Sequence, residues 1–180
     1  YAVLELTAAG ERDDALEGLA RYCTGEAALA AEGLVAPAQV EWLNRVGEDL
    51  ESYRAALRWL LDRDRLAEAS HIASSLFFFW TIRGHAAEGL GWYEQILNRP
   101  SLAPAVESGA LVGAGALRYT QGELRRAHTE LTRAVADAGW KARYVMAKSA
   151  TCRSWTSTTA PSSFAVAASQ RPIPSMIAER

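Results

Sequence analysis

The residues of this sequence that could do chemistry are three histidines, two cysteines, a carboxylate cluster, a Lys-Ser pair and an aromatic run. His71, His85 and His128 would suggest a metal site if they fell in a spacing such as H-E-x-x-H, which sets two ligands on one helix face. No such spacing occurs, so each reads as a structural or exposed side chain. Cys23 and Cys152 form no metal-ligand or redox spacing and no disulfide framework. Cys23 reads as a small core residue of a helix rather than a nucleophile, because nothing nominates a base beside it. Glu48, Asp49 and Glu51 could supply acid–base chemistry, but at a helix start they serve the macrodipole instead. Lys148-Ser149 ends a phosphate-loop signature in form only, since Ala147 precedes it without a glycine framework. Arg125-Arg126 is too small for a nucleic-acid patch and reads as solvated surface. No catalytic, cofactor-binding or metal-ligating residue is expected.

The run Phe77-Phe78-Phe79-Trp80 admits two readings. Four successive helical positions point around most of the circumference, so they cannot share one face. Either Phe77 and Trp80 pack within a hairpin while Phe78 and Phe79 meet adjacent hairpins, or one aromatic lines a binding groove.

The elements that must position these side chains are helical. Up to residue 138, apolar residues recur at helical spacing, and Ala, Leu, Glu and Arg dominate. Gly10 closes a short opening helix. A second helix runs from Glu11 to about Glu32 and ends at Gly33, and Pro37 suits the first turn of a third, carrying Val40, Trp42, Leu43 and Val46. A fourth spans Asp49 to Asp62, and a tight turn at Arg63–Arg65 leads to a fifth, from Leu66 through Trp80 to a stop at Gly84. A sixth covers His85 to Asn98, Pro104 starts a seventh, and Gly122 separates that from an eighth, Glu123 to Ala138. No apolar/polar alternation argues for a strand. The chain is expected to be all-α, built of antiparallel helical hairpins.

Charge and composition divide at one place. Residues 1–138 hold 13 arginines, no lysine, 20 acidic residues and all 20 leucines; residues 139–180 hold six basic residues, one acid and no leucine. The balances are −7 and +5, so the net −2 is a cancellation. It gives no electrostatic footprint for nucleic acid or an anionic membrane. The longest apolar run, Leu76 to Ile82, is too short to span a bilayer. A cytoplasmic protein is expected. The Ser/Thr/Ala-rich segment 139–180 offers no sustained period. It is either a native disordered tail or the product of a frame change near Gly139.

The last two hairpins are internally related. Gly84, Gly89, Tyr93 and Ile96 align with Gly122, Ala127, Leu131 and Ala134, an offset of 38 residues. A turn glycine reaches left-handed geometry without a Cβ penalty, and a small residue five positions on lets the second helix pack closely on the first. Tyr93 and Leu131 then fill the gap towards the neighbouring hairpin. The pattern Leu111, Gly115, Gln121-Gly122, Ala127, Leu131 and Ala134 resembles the tetratricopeptide repeat, whose period is about 34 residues. The earlier copy departs from it: Phe77 stands where glycine is usual, and Pro100 lies one residue from the expected proline.

A second resemblance runs from Tyr1 to about Gly139. Tyr1 to Leu6 with Gly10-Glu11-Arg12, then Glu41-Trp42-Leu43, Glu48 to Glu51 and Ala55 to Trp59, then Phe79-Trp80, Arg83-Gly84-His85, Glu88-Gly89 and Trp92 occur in that order. Together they look like the segment after the ATPase module in LuxR-type bacterial transcription regulators and their AfsR-like, STAND ATPase-linked relatives. The resemblance implies three parts: 1–10 as the end of a winged-helix connector, 11–138 as a tetratricopeptide-like repeat domain, and 139–180 as the tail. It implies a fragment, with an ATPase upstream and a DNA-binding helix-turn-helix at the N- or C-terminal end of the longer protein.

By the register of that repeat, the hairpins stack as a right-handed α-solenoid, and His71, Phe78, Thr81 and Tyr119 face its inner groove. The resemblance implies a non-catalytic sensor or interaction region that takes a protein or peptide in the groove and needs no cofactor. Neither direct nucleic-acid nor membrane contact is expected of it. A free-standing tetratricopeptide adaptor is the alternative. Because repeat arrays need polar caps, a truncated last helix is expected to expose an apolar face and to favour self-association.

Overall fold

A computed structural model describes residues 11–100 and 102–138. The expected opening helix and the segment 139–180 lie outside the described residues. All the helices described belong to one compact unit. In chain order they are α1 (Arg12–Gly33), α2 (Gln39–Glu48), α3 (Leu50–Asp62), α4 (Leu66–Ser75), α5 (Phe77–Ile82), α6 (Ala86–Leu97), α7 (Pro104–Thr120) and α8 (Leu124–Ala138). No strand occurs among the described residues.

The packing follows the chain. α1 lies against α3 and α4, α4 against α6 and α7, α6 against α7, and α7 against α8. Their shared core includes Leu57, Leu60, Ile72, Leu76, Phe79, Trp80, Tyr93, Ile96 and Leu117, each almost wholly buried. Burying a large apolar side chain of this kind contributes about 1.5–3 kcal/mol.

Two turns of one design end α3 and α7. Gly122 has φ +82°, its N–H donates to the Tyr119 carbonyl at 3.1 Å, and the Glu123 N–H donates to the Arg118 carbonyl at 3.0 Å. Asp64, at φ +54°, repeats the pattern: its own N–H bonds Leu61 at 3.2 Å and the Arg65 N–H bonds Leu60 at 2.9 Å. These are the paired bonds of a Schellman cap, which satisfy carbonyls the helix end would leave open. Gly84, at φ +77°, is the glycine the internal repeat placed at the same turn. Asp64 carried no such signal, because an aspartate reaches this geometry only as a tolerated exception.

Three details differ from expectation. The fifth helix is not continuous: it breaks at Leu76 into α4 and α5. The indole N–H of Trp80 donates to the Ala73 carbonyl at 3.1 Å, the acceptor that the Phe77 N–H would use in an unbroken helix. A side chain entering the ladder is a recognised cause of a kink. The kink also reassigns the aromatics, leaving Phe79 and Trp80 buried and Phe77 and Phe78 half-buried. Pro37 precedes α2 by two residues rather than standing in its first turn.

The third difference concerns the ends. On α8, Arg125, Arg126, His128, Thr129, Thr132 and Arg133 are exposed, and Leu124 is the large apolar residue left open there. Among the described side chains of α8, the expected bare apolar face does not occur. Exposed apolar side chains gather instead on the first two helices and their connection, at Tyr22, Leu29, Val35 and Val40.

Glycines set the helix spacing. A Cβ on Gly113 would lie 2.2 Å from the Tyr93 ring, and one on Gly89 would lie 2.6 Å from the Trp80 ring. Gly33 ends α1 at ordinary backbone angles, and the reason for glycine there is the Trp42 ring, 2.1 Å from a would-be Cβ. The mid-helix Gly18 has open space around it. Gly113→Ala should therefore cost about 1–3 kcal/mol by overpacking a fully buried ring. Gly18→Ala should gain about 0.5–1 kcal/mol from helix propensity alone. Chemical denaturation of both variants checks the contrast; equal effects would show that Tyr93 does not fix the α6–α7 distance.

Candidate functional site

The four groove candidates sit on three neighbouring elements. His71 is exposed on α4. Phe78 and Thr81 are one turn apart on α5 and half-buried. The Phe78 ring meets Phe77 edge-on at 5.5 Å, and the Thr81 hydroxyl donates to the Phe77 carbonyl at 3.0 Å. Tyr119 is 40% exposed near the end of α7. α4 and α5 both pack against α7, so the elements are adjacent, and Phe78 and Thr81 are the pair brought together within a single turn.

A network that sequence spacing did not reveal lies beside them. The Arg54 guanidinium on α3 binds Glu88 on α6 through two parallel bonds, Nε to Oε1 at 2.6 Å and Nη2 to Oε2 at 2.5 Å. Such fork-to-fork pairing gives direction as well as attraction. His85 Nδ1 stands 3.5 Å from Glu88 Oε2, and its ring stacks on Phe79 at 5.4 Å and 8°. Phe79 in turn meets Trp80 edge-on at 5.4 Å. The imidazole is thereby held between an acidic group and a buried aromatic. The pair Arg54–Glu88 is 34 residues apart, and no local pattern could have announced it.

A second arginine braces the other end. Arg118 on α7 is 6% exposed and pairs with Glu94 of α6, with Glu123 of the turn at 2.8 Å and with Glu130 of α8 at 2.9 Å. It ties three helices at a single guanidinium, which only arginine's planar set of five donors permits. Helical spacing sets Arg118 on the same face as buried Leu111 and Ala114, but nothing along the chain names its three carboxylate partners, so this role too was hidden in the sequence.

The chemistry these groups offer is structural. Burial, with smaller contributions from Asp49 and Glu26, pushes the Cys23 thiol up to about 11. It is a buried core residue and not a thiolate nucleophile. Glu48 ends α2 while Asp49 and Glu51 open α3, so only the latter two stand where the macrodipole favours a carboxylate. No group of three metal-ligating side chains occurs among the described residues, and no helix among them is long and apolar enough to cross a membrane.

No family model matches the chain, and no solved structure matches it. It is 34% identical over 119 residues to proteins of Mycobacterium bovis and Mycobacterium tuberculosis that carry the provisional name of HTH-type transcriptional regulators. The match takes in 62% of this chain and 13% of each relative, so the chain spans a small part of the curated proteins it resembles. It is related in sequence to proteins named as transcription regulators.

The Arg54 hydrogen bonds hold the Glu88 carboxyl below its ordinary value, with burial opposing them. A carboxylate lowered on folding adds stability above its unfolded pKa, about 4.3, and loses it as pH falls through the folded value. Glu88→Gln should therefore cost about 1 kcal/mol near neutrality. Its melting temperature should converge on that of the parent as pH drops below about 4. A gap independent of pH would show that the pair does not contribute as a charge.

Proposed function

We propose that residues 11–138 are a tetratricopeptide-like helical arm of a LuxR-type transcription regulator. The hairpins stack as a right-handed α-solenoid, and the arm is non-catalytic. It takes a protein or peptide segment in its groove, against His71, Phe78, Thr81 and Tyr119, and passes that occupancy to ATPase and DNA-binding modules elsewhere in the longer protein. Signalling of this kind requires the partner to prefer one packing of the helices over another.

The observation that carries the reading is the repeated hairpin. Gly84 and Gly122 both turn the chain at positive φ. Five residues beyond each, Gly89 lies under Trp80 and Ala127 is buried with its carbonyl close to Gly115. One turn further, Tyr93 packs on Gly113 and Leu131 on Gly115. The turn glycine and the small residue five positions on recur at one offset, while Tyr93 packs forward onto α7 and Leu131 packs back onto that same helix within its own hairpin. A repeated turn with closely paired helices is what a solenoid needs in order to stack. The mycobacterial relatives, by name HTH-type transcriptional regulators, support the choice of protein class.

The test is binding in the longer protein. Once its partner is isolated by affinity capture, Phe78→Ala and Tyr119→Ala should each weaken the complex about tenfold or more, as truncated aromatic anchors do. Far-UV circular dichroism should stay unchanged. Unaltered affinity would remove the groove reading, and a loss of helicity would assign the two side chains to the core.

A further inference from the structure

The junction of α2 with the α5–α6 turn forms a shallow, open cleft of about 440 Å³, along which Asn44, Gly47, Glu48 and Arg83 are exposed. It includes none of the four groove candidates, so a ligand held here is distinct from the groove's partner and does not depend on it. Phe79 and His85 both line it. One face of the imidazole lies on Phe79, and the His85 side chain is 37% exposed. A buried aromatic beneath and Glu88 beside the ring hold it in place, which makes it a fixed stacking platform.

Two opposite charges flank this platform. Arg83 lines the cleft and its guanidinium donates to the Asn44 side-chain oxygen, a neutral partner that leaves its charge uncompensated. Glu48 also lines it, at the last residue of α2. There the negative end of the macrodipole disfavours a carboxylate, and Glu48 has no ion pair among the described residues. Around the cleft, Arg54–Glu88 and Arg45–Glu26 are closed ion pairs, so neither of those arginines is open to a ligand there. Between the two lies Gly47, where an added Cβ would meet only the Phe79 ring, at 3.8 Å. The floor is thus left open.

We propose that this cleft binds a small zwitterion bearing a planar ring, namely an aromatic α-amino acid. Its ring stacks on His85, its carboxylate pairs with Arg83 and its ammonium pairs with Glu48.

The probe is L-tryptophan, titrated into the full chain by calorimetry or ligand-observed NMR. L-tryptophanamide lacks the carboxylate and indole-3-propionate lacks the ammonium, so each should bind about tenfold more weakly, the loss of one charge-assisted contact. Arg83→Gln should remove the preference for tryptophan over its amide. Glu48→Gln should remove the preference over indole-3-propionate. These crossed effects are ones that a merely structural role would not produce. His85→Ala should weaken binding while His85→Phe retains it, and Gly47→Leu should abolish it by filling the floor. If Gly47→Leu loses helicity, the two surface charge variants decide the matter. Absence of tryptophan binding at millimolar concentration, or binding that ignores Arg83→Gln and Glu48→Gln, overturns the proposal. Phe78→Ala and Tyr119→Ala should leave tryptophan affinity unchanged, so the cleft and the groove can fail separately.

Discussion

The arrangement depends on where Trp80 puts its indole. The N–H takes the Ala73 carbonyl out of the helical ladder, and the chain kinks at Leu76 in consequence. The ring fills the space above Gly89, setting how closely α6 approaches. Its edge supports Phe79, and Phe79 supports His85. One fully buried side chain therefore fixes the kink, the helix spacing and the aromatic platform together. In a close-packed interior these cannot vary independently, because moving one ring displaces the others.

Around that centre, arginine does the long-range joining. Arg54 spans α3 to α6, and Arg118 spans α6, α7 and α8. Two hydrogen-bonded carboxylates can approach one guanidinium from different helices, whereas apolar contacts along a helix are tolerant of sliding. The braces accordingly set register where the leucine and alanine contacts supply the bulk of burial. Arginine is the sole basic residue type before residue 139 apart from histidine, and its geometry suits this use better than lysine's single ammonium.

The first and last described helices differ physically. α8 turns a polar, arginine-rich side outward among its described side chains. α1 leaves Tyr22 and Leu29 exposed at 53% and 51%, one helical stripe apart by seven residues.

By itself, the sequence determined the all-helical class, nearly every helix boundary, the glycine turns at 84 and 122 and the close packing at Gly89. All of these come from local rules: helical period, left-handed glycine, small residues under a crossing helix. Only the tertiary structure decided the break at Leu76, the burial of Phe79 over Phe77, the Asp64 turn and the joining of Arg54, Glu88 and His85. It also decided that Glu48 and Arg83 face one cleft. Each of these pairs groups that are distant in the chain or sets one interaction against another. A period read along a single helix carries no information about which carbonyl a side chain seven residues away will claim.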